Sequence, residues 1–391
     1  MQQRVNPVLL ALAFCTALAL FGLPFVRVAP NRLVSGEAVY FLSVLTSTHV
    51  LAWFVAAAPL ALFLAAFAKP NRWVQGGAFA TSIALLIGLF WLAAQYASLT
   101  SQAMSAIARV SVGAGFWSAA IFSALIASDA LQRLAATPLQ KAAAAVAVAA
   151  LLGAVLASGW CDDLSIMKEY ANRADGLAAA FGRHLHIVGV AMAFTLAIGL
   201  SLGWATHASK WVAALVFPAL NVVQTIPSIA LFGLLMAPLA LLAAFLPALG
   251  AFGISGVGMA PAVIALTLYG LLPVVRGTLA GLQQVSAVQI NAARALGLAP
   301  WAVLRYVAVP LALPVVLGGV RTAAVAAVGL AAVTALIGAG GLGGIMFEGL
   351  FSNAQDVVLL GVLPIIALGV LMDGLFGAVI SLAVRQARPH I

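Results

Sequence analysis

Residues 277–311 read GTLAGLQQVSAVQINAARALGLAPWAVLRYVAVPL and separate two long apolar runs. The interval is too long for a turn. From Ser286 it reads as a short amphipathic helix, with small alanines at 292, 293 and 295 and a break at Gly297. A second helical piece follows and should end before Pro310 and Pro314. Such a helix lies on a partner surface rather than in lipid, and the meaning of the interval depends on the runs that flank it.

Those runs recur along the whole chain. Of 391 residues, 65% are hydrophobic and 7% charged, and mean hydropathy is +1.17, whereas soluble domains run at about a quarter charged. Apolar segments of about 20 residues, enough to cross a hydrocarbon layer of ~30 Å, follow one another with short polar breaks. The runs are continuous and rich in Leu and Ala, without the alternation of a lipid-facing strand, so the expected fold is an all-α polytopic membrane protein. The net charge of +9 is scattered singly between runs, which excludes a nucleic-acid surface and suits topology-setting residues in contact with lipid headgroups.

Five spans are read in the first part, near 7–26, 48–68, 78–98, 113–131 and 142–159, and five more near 186–205, 211–236, 258–275, 312–337 and 357–383. A further apolar stretch, Leu239 to Phe252, is broken by Pro247 and Gly250. The total is about ten. The organisation expected is a five-span N-terminal extension over 1–160, a polar connecting loop on the outer side over 161–185, and a transport core over 186–391. With both termini cytoplasmic, Arg4, Lys69, Arg72, Arg133, Lys141, Lys210, Arg276, Arg294, Arg305, Arg385 and Arg388 fall inside. Arg27, Arg32, Arg109, Lys168, Arg173 and Arg183 fall outside, as the positive-inside rule prefers. Residues 277–311 then form the longest cytoplasmic interval.

In that interval Asn291-Ala292-Ala293, then Gly297, then Val307-Ala308-Val309-Pro310 resembles the EAA loop of binding-protein-dependent ABC importer permeases. That pattern is Glu-Ala-Ala, three residues, Gly, nine residues, Ile-x-Leu-Pro. The leading Glu is Asn291 here, and valines replace Ile and Leu. The resemblance implies a MetI-like permease core and makes Asn291, Ala292, Ala293, Gly297 and Pro310 the ATPase-coupling residues. Small alanines would allow close backbone approach, and Gly297 the sharp turn.

Gln224-Thr225-Ile226-Pro227-Ser228, Leu266 to Pro273 and Ile337 to Gly343 look like the osmoprotectant permeases for glycine betaine, carnitine and choline. The five-span extension resembles the longer YehY-type members. The resemblance implies ATP-binding cassette subunits, a second permease copy or paralogue, a periplasmic substrate-binding protein, the bacterial inner membrane, and no cofactor or catalysis in this chain. An importer for an amino acid such as methionine and an ion-coupled secondary carrier are the alternatives. Pro227 removes one helical hydrogen bond inside the seventh span. Gln224, Thr225, Ser228 and, further on, Tyr269 therefore become candidates for the translocation path.

Other features are weighed and set aside. Gly338 to Gly343 matches G-x-G-x-x-G but follows a span rather than a strand, so a turn is expected, not a dinucleotide site. His184 and His186, two apart, point to different helix faces and make a poor metal site, and they read as interfacial histidines. Asp129 and Asp373 lie near cytoplasmic span ends, where a carboxylate can reach water or a lysine. Asp162 to Asp175, Glu348 and Asp356 read as outer residues that a binding protein could touch. Cys15 and Cys161 have no ligand spacing and read as structural or incidental thiols.

Overall fold

The computed structural model describes residues 5–31, 34, 36–104, 107–251 and 254–387, with the side chains of 138, 249, 251 and 385–387 excepted. Arg4, Arg32, Arg388 and Phe252, used in the topology reading, lie outside the described residues. The chain divides into two compact units, Met1–Asn172 and Arg173–Ile391.

The first unit holds α1 (Pro7–Gly22), β1 (Pro24–Ala29), β2 (Glu37–Tyr40), α2 (Phe41–Ser47), α3 (Ala52–Ala65), α4 (Arg72–Ala103), β3 (Arg109–Val112), α5 (Ala114–Arg133) and α6 (Pro138–Ala157). Asn6 caps α1 by accepting from Leu9 N, and Asn71 caps α4 by accepting from Val74 N. The helix of the first expected span stops at Gly22. Pro24 cannot continue it, and the valines that follow pair antiparallel with β2 on one side and β3 on the other, Val26 opposite Val39 and Val112. The sheet covers a core in which Phe25, Phe41 and Phe116 are fully buried and meet edge to face. Gly113 and Gly115 permit this closure, since a side-chain carbon at 113 would stand 2.3 Å from Pro24 O. Alanine-rich α6 leaves an open apolar groove of about 480 Å³ against α4, lined by Phe79, Ile83, Ile87, Ala144, Val148 and Leu151.

The polar stretch expected as a loop over 161–185 is helical from Ser165, as the start of α7 (Ser165–Ala208). Residues 165–208 contain no proline, and the early charges are used rather than solvated. Glu169 pairs with Arg109 at 3.5 Å and Lys168 with Asp163 at 3.5 Å. The charges disguised a helix of 44 residues.

The second unit continues with α8 (Lys210–Thr225), α9 (Ser228–Phe245), α10 (Pro247–Ala251), α11 (Met259–Gln283), α12 (Ala287–Ala295), α13 (Pro300–Val303), α14 (Val309–Val333), α15 (Leu342–Phe351) and α16 (Gln355–Ala387). A π turn over Leu304–Ala308 leads into α14, and a 3₁₀ turn over Thr334–Ile337 leaves it. Helix α11 is the centre, and small residues let its neighbours approach closely, α14 to backbone contact and α7 onto the side chains of Val274 and Thr278. An added carbon at Gly199 or Gly203 of α7 would strike Val274 or Thr278. One at Gly277 or Gly281 would strike Gly319 or Ala312 of α14. Glycines four residues apart thus form two seams, α7 on α11 and α11 on α14.

Among the described residues, eight helices are long and apolar enough to cross a membrane. The first and second expected spans correspond to the shorter apolar α1 and α3, of 16 and 14 residues. The seventh, expected over 211–236 with its backbone opened at Pro227, is two helices, α8 and α9, which part at Ile226 and Pro227.

Candidate functional site

Helix α12 is built by local chemistry. Ser286 Oγ accepts from Gln289 N at 3.3 Å, while Gln289 Oε1 accepts from Ser286 N at 3.1 Å, a reciprocal capping box. At its other end Gly297 takes φ 81°, Gly297 N donates to Arg294 O at 2.9 Å and Leu298 N to Ala293 O at 3.3 Å. These two bonds close a glycine-terminated Schellman turn. Nothing lies within 4 Å of where a Gly297 side chain would begin.

Ala293 is buried, and α12 rests on Val285, Ala308 and Ala312 with Ile290 and Leu304 packed at the edge. Asn291, Ala292, Arg294 and Gly297 face outward. So do Val288, 77% exposed, and Leu296, 82% exposed. The structure therefore brings Ala293 under the helix and places Asn291, Ala292 and Gly297 on one open surface, while Pro310 lies apart in the first turn of α14.

The second helical piece does not end before Pro310. Val309 N reaches back to Leu304 O, and this wider turn lets the chain pass into α14 through Pro310 and Pro314 without a break. Gln284 Nε2 donates to Leu311 O at 2.9 Å, tying the end of α11 to the start of α14.

At the α8–α9 opening, Gln224 Nε2 donates to Tyr269 O at 2.8 Å, and the Tyr269 hydroxyl donates to Ile226 O. Three of the candidates for the translocation path, Gln224, Pro227 and Tyr269, thus meet at one place. The carbonyl freed before Pro227 is satisfied from α11. Thr225 Oγ1 bonds within its own helix, to Val222 O at 2.7 Å, and Ser228 opens α9. Sequence reasoning missed Arg276, whose Nη2 donates to Asn221 Oδ1 at 2.8 Å. The seven-residue spacing of Tyr269 and Arg276, two turns of one helix face, was the available signal.

At the other end of the unit, Gly338, Gly340 and Gly341 all take φ near 80° in a turn before α15. Arg183 Nε donates to Ala339 O at 3.0 Å, and His184 is fully buried with Nε2 3.1 Å from Val328 O. His184 is thus a packed core residue rather than an interfacial one, and His186 is exposed. Arg173 pairs with Glu348 at 2.7 Å. Asp129 pairs with Arg133 one turn on at 2.7 Å, and Asp373 grips Arg321 with both oxygens.

Residues 3–167 match the model of the ABC transporter permease YehY N-terminal domain, and residues 195–382 that of the binding-protein-dependent transport system inner membrane component. The osmoprotectant import permease protein OsmW of Salmonella typhimurium is 39% identical over 199 residues, covering 51% of this chain and 87% of that protein. The glycine betaine/carnitine/choline transport system permease protein OpuCB of Bacillus subtilis is 33% identical, covering 49% and 81%. The carnitine transport permease protein OpuCD of Listeria monocytogenes is 32% identical, covering 54% and 88%. A solved structure of the MetNI methionine ABC transporter in an inward-facing conformation aligns at a TM-score of 0.45 and 22% identity, covering 53% of this chain and 95% of that one.

The chain belongs to the family of binding-protein-dependent transport system inner membrane components. It is a multi-span permease subunit of an ABC importer in the bacterial inner membrane, and ATP hydrolysis belongs to a separate subunit.

Proposed function

We propose that this permease imports a small osmoprotectant of the quaternary-amine class, glycine betaine or a close relative. The observation that carries the reading is that the relatives, 39% to 31% identical and named for osmoprotectant, carnitine, glycine betaine or choline transport, align with about half of this chain over most of their own lengths. A binding protein delivers the solute to the outer face. ATP-driven closure of two cassette subunits acts on the surface formed by Asn291, Ala292, Arg294 and Gly297. The path runs beside the opening at Gln224, Thr225, Pro227, Ser228 and Tyr269, between two permease copies or a copy and a paralogue. Both termini are cytoplasmic in this reading, with 1–160 a separate membrane extension.

With Asn291 in place of an acid, docking on the cassette relies on the exposed apolar Val288 and Leu296 and on the open backbone at Gly297. The test is reconstitution of the chain with its cassette and binding-protein partners in liposomes. ATP-dependent uptake of labelled glycine betaine is expected. Gly297→Arg should lose both co-purification of the cassette and uptake while the permease stays folded. Uptake that needs only an ion gradient, with no cassette bound, would overturn the reading.

A further inference from the structure

Arg276 lies about 10 Å before the cytoplasmic end of α11 in the orientation proposed above. Its hydrogen-bond partner is a neutral amide, Asn221 Oδ1, at 2.8 Å. Nearer the middle of the same seam follow Gln224 on Tyr269 O and the Tyr269 hydroxyl on Ile226 O. The α8–α11 seam is therefore a polar ladder that descends from the helix opening at Pro227 to Arg276. Asn221, Gln224, Thr225 and Arg276 are all exposed on the unit's surface. Polar and charged groups at membrane depth do not face acyl chains; they face a water-filled path or the interior of a bundle.

The charge of Arg276 is not cancelled by the unit's own acids. The unit's sequence has four side-chain carboxylates, Asp175, Glu348, Asp356 and Asp373, and Asp175 lies about 40 Å along α7 from Gly203, which faces Thr278 beside Arg276. Glu348 pairs with Arg173, and Asp373 is engaged by both its oxygens with Arg321. Arg321 lies close to the level of Arg276, since Gly319 touches Gly277. It turns to α16, whereas Arg276 turns to α8. Asp356 is in the first turn of α16, about 25 Å along that helix from Asp373. Asn221 fixes one donor of the guanidinium fork and leaves the others for a planar acceptor, which a carboxylate matches in two parallel hydrogen bonds.

The geometry points to Arg276 as a carboxylate-binding station on the translocation path, selecting zwitterionic trimethylammonium carboxylates over solutes that carry positive charge alone. This rests on the solute class proposed above. The solute's cationic end, repelled by Arg276, trails toward the Tyr269 level while its carboxylate meets the guanidinium.

The experiment compares wild type, Arg276→Gln and Arg276→Lys in liposomes with cassette and binding-protein subunits. It reads labelled glycine betaine uptake, cassette co-purification and binding-protein-stimulated ATP hydrolysis. Losing a charge-assisted bond pair should lower uptake by Arg276→Gln at least about tenfold, with assembly and ATP hydrolysis kept. Arg276→Lys, which keeps the charge but not the fork, should fall between the two or as low as Gln.

Equal uptake by wild type and Arg276→Gln overturns the station. So does a Lys variant equal to wild type, which would make Arg276 a topology-setting charge. Loss of cassette co-purification by the Gln variant overturns it as well, by making Arg276 a structural anchor. A wild type that takes up no glycine betaine overturns the solute class instead, and with it the proposal built on it.

Discussion

Gly297 and Gly343 are both intolerant of a side chain, for opposite reasons. At Gly297 the space is open but φ is 81°, so Gly297→Ala carries a backbone cost of about 1–2 kcal/mol and no clash. We expect that variant to bind the cassette more weakly and to keep partial uptake, while Gly297→Arg loses both, as read by co-purification and liposome uptake. At Gly343 the backbone is ordinary, yet an added carbon would sit 1.8 Å from Ala332 O. Gly343→Ala should therefore fail to accumulate as a folded, detergent-soluble protein, as judged by size-exclusion profile, and normal yield would refute the packing described. Cys161 is fully buried, and burial, with the charge of Asp162 adding to it, pushes its thiol above the ordinary range. In a Cys15→Ser background, maleimide should leave the native protein unlabelled at neutral pH and label it after denaturation.

At the scale of elements, what could be read from the sequence was what is encoded locally. The serine, glutamine and glycine that start and stop α12 are neighbours in the chain, and so are the polar residues around Pro227. The helix break there follows from proline chemistry alone. Ser286→Ala removes half of the capping box and should cost about 1 kcal/mol of local helix stability, seen as faster amide exchange over 287–296 with global stability unchanged. The elements that escaped notice depend on distant partners. The strand at Val26 exists because residues 39 and 112 come to it, and four-residue strands carry little pattern of their own. The helix over 165–185 hid behind charges whose partners, such as Arg109 and Glu348, lie far away in sequence. The π turn before Pro310 has no signature in residue type.

For the whole molecule, the orientation proposed above puts both termini and residues 277–311 on one side, as the charge bias favours. Single cysteines introduced at Trp73, Leu139 and Val288, all exposed, should be blocked in spheroplasts only by reagents that cross the inner membrane, whereas one at Phe351 should be blocked by impermeant reagents. Any reversal of that pattern would overturn the orientation. Legibility at this scale was high for class and low for detail. Apolar run length announces a membrane protein, but it cannot separate one long span from α8 and α9, nor say that α1 and α3 fall short of ordinary span length.

The glycine seams of α7, α11 and α14 have a mechanical meaning. Between α11 and α14 no side chain separates Gly277 from Gly319, and on α7 the glycines seat Val274 and Thr278, whose β-branched side chains are stiff at χ1, so neither pair slides without collision. Those helices form a stiff beam, and compliance is left to parts joined by longer side chains or by an opened backbone, namely α8 with α9 and the surface helix α12. On the α12 side the cluster of Val285, Ala308 and Ala312, with Ile290 and Leu304 packed on it, joins that surface helix to the start of α14 through side chains alone.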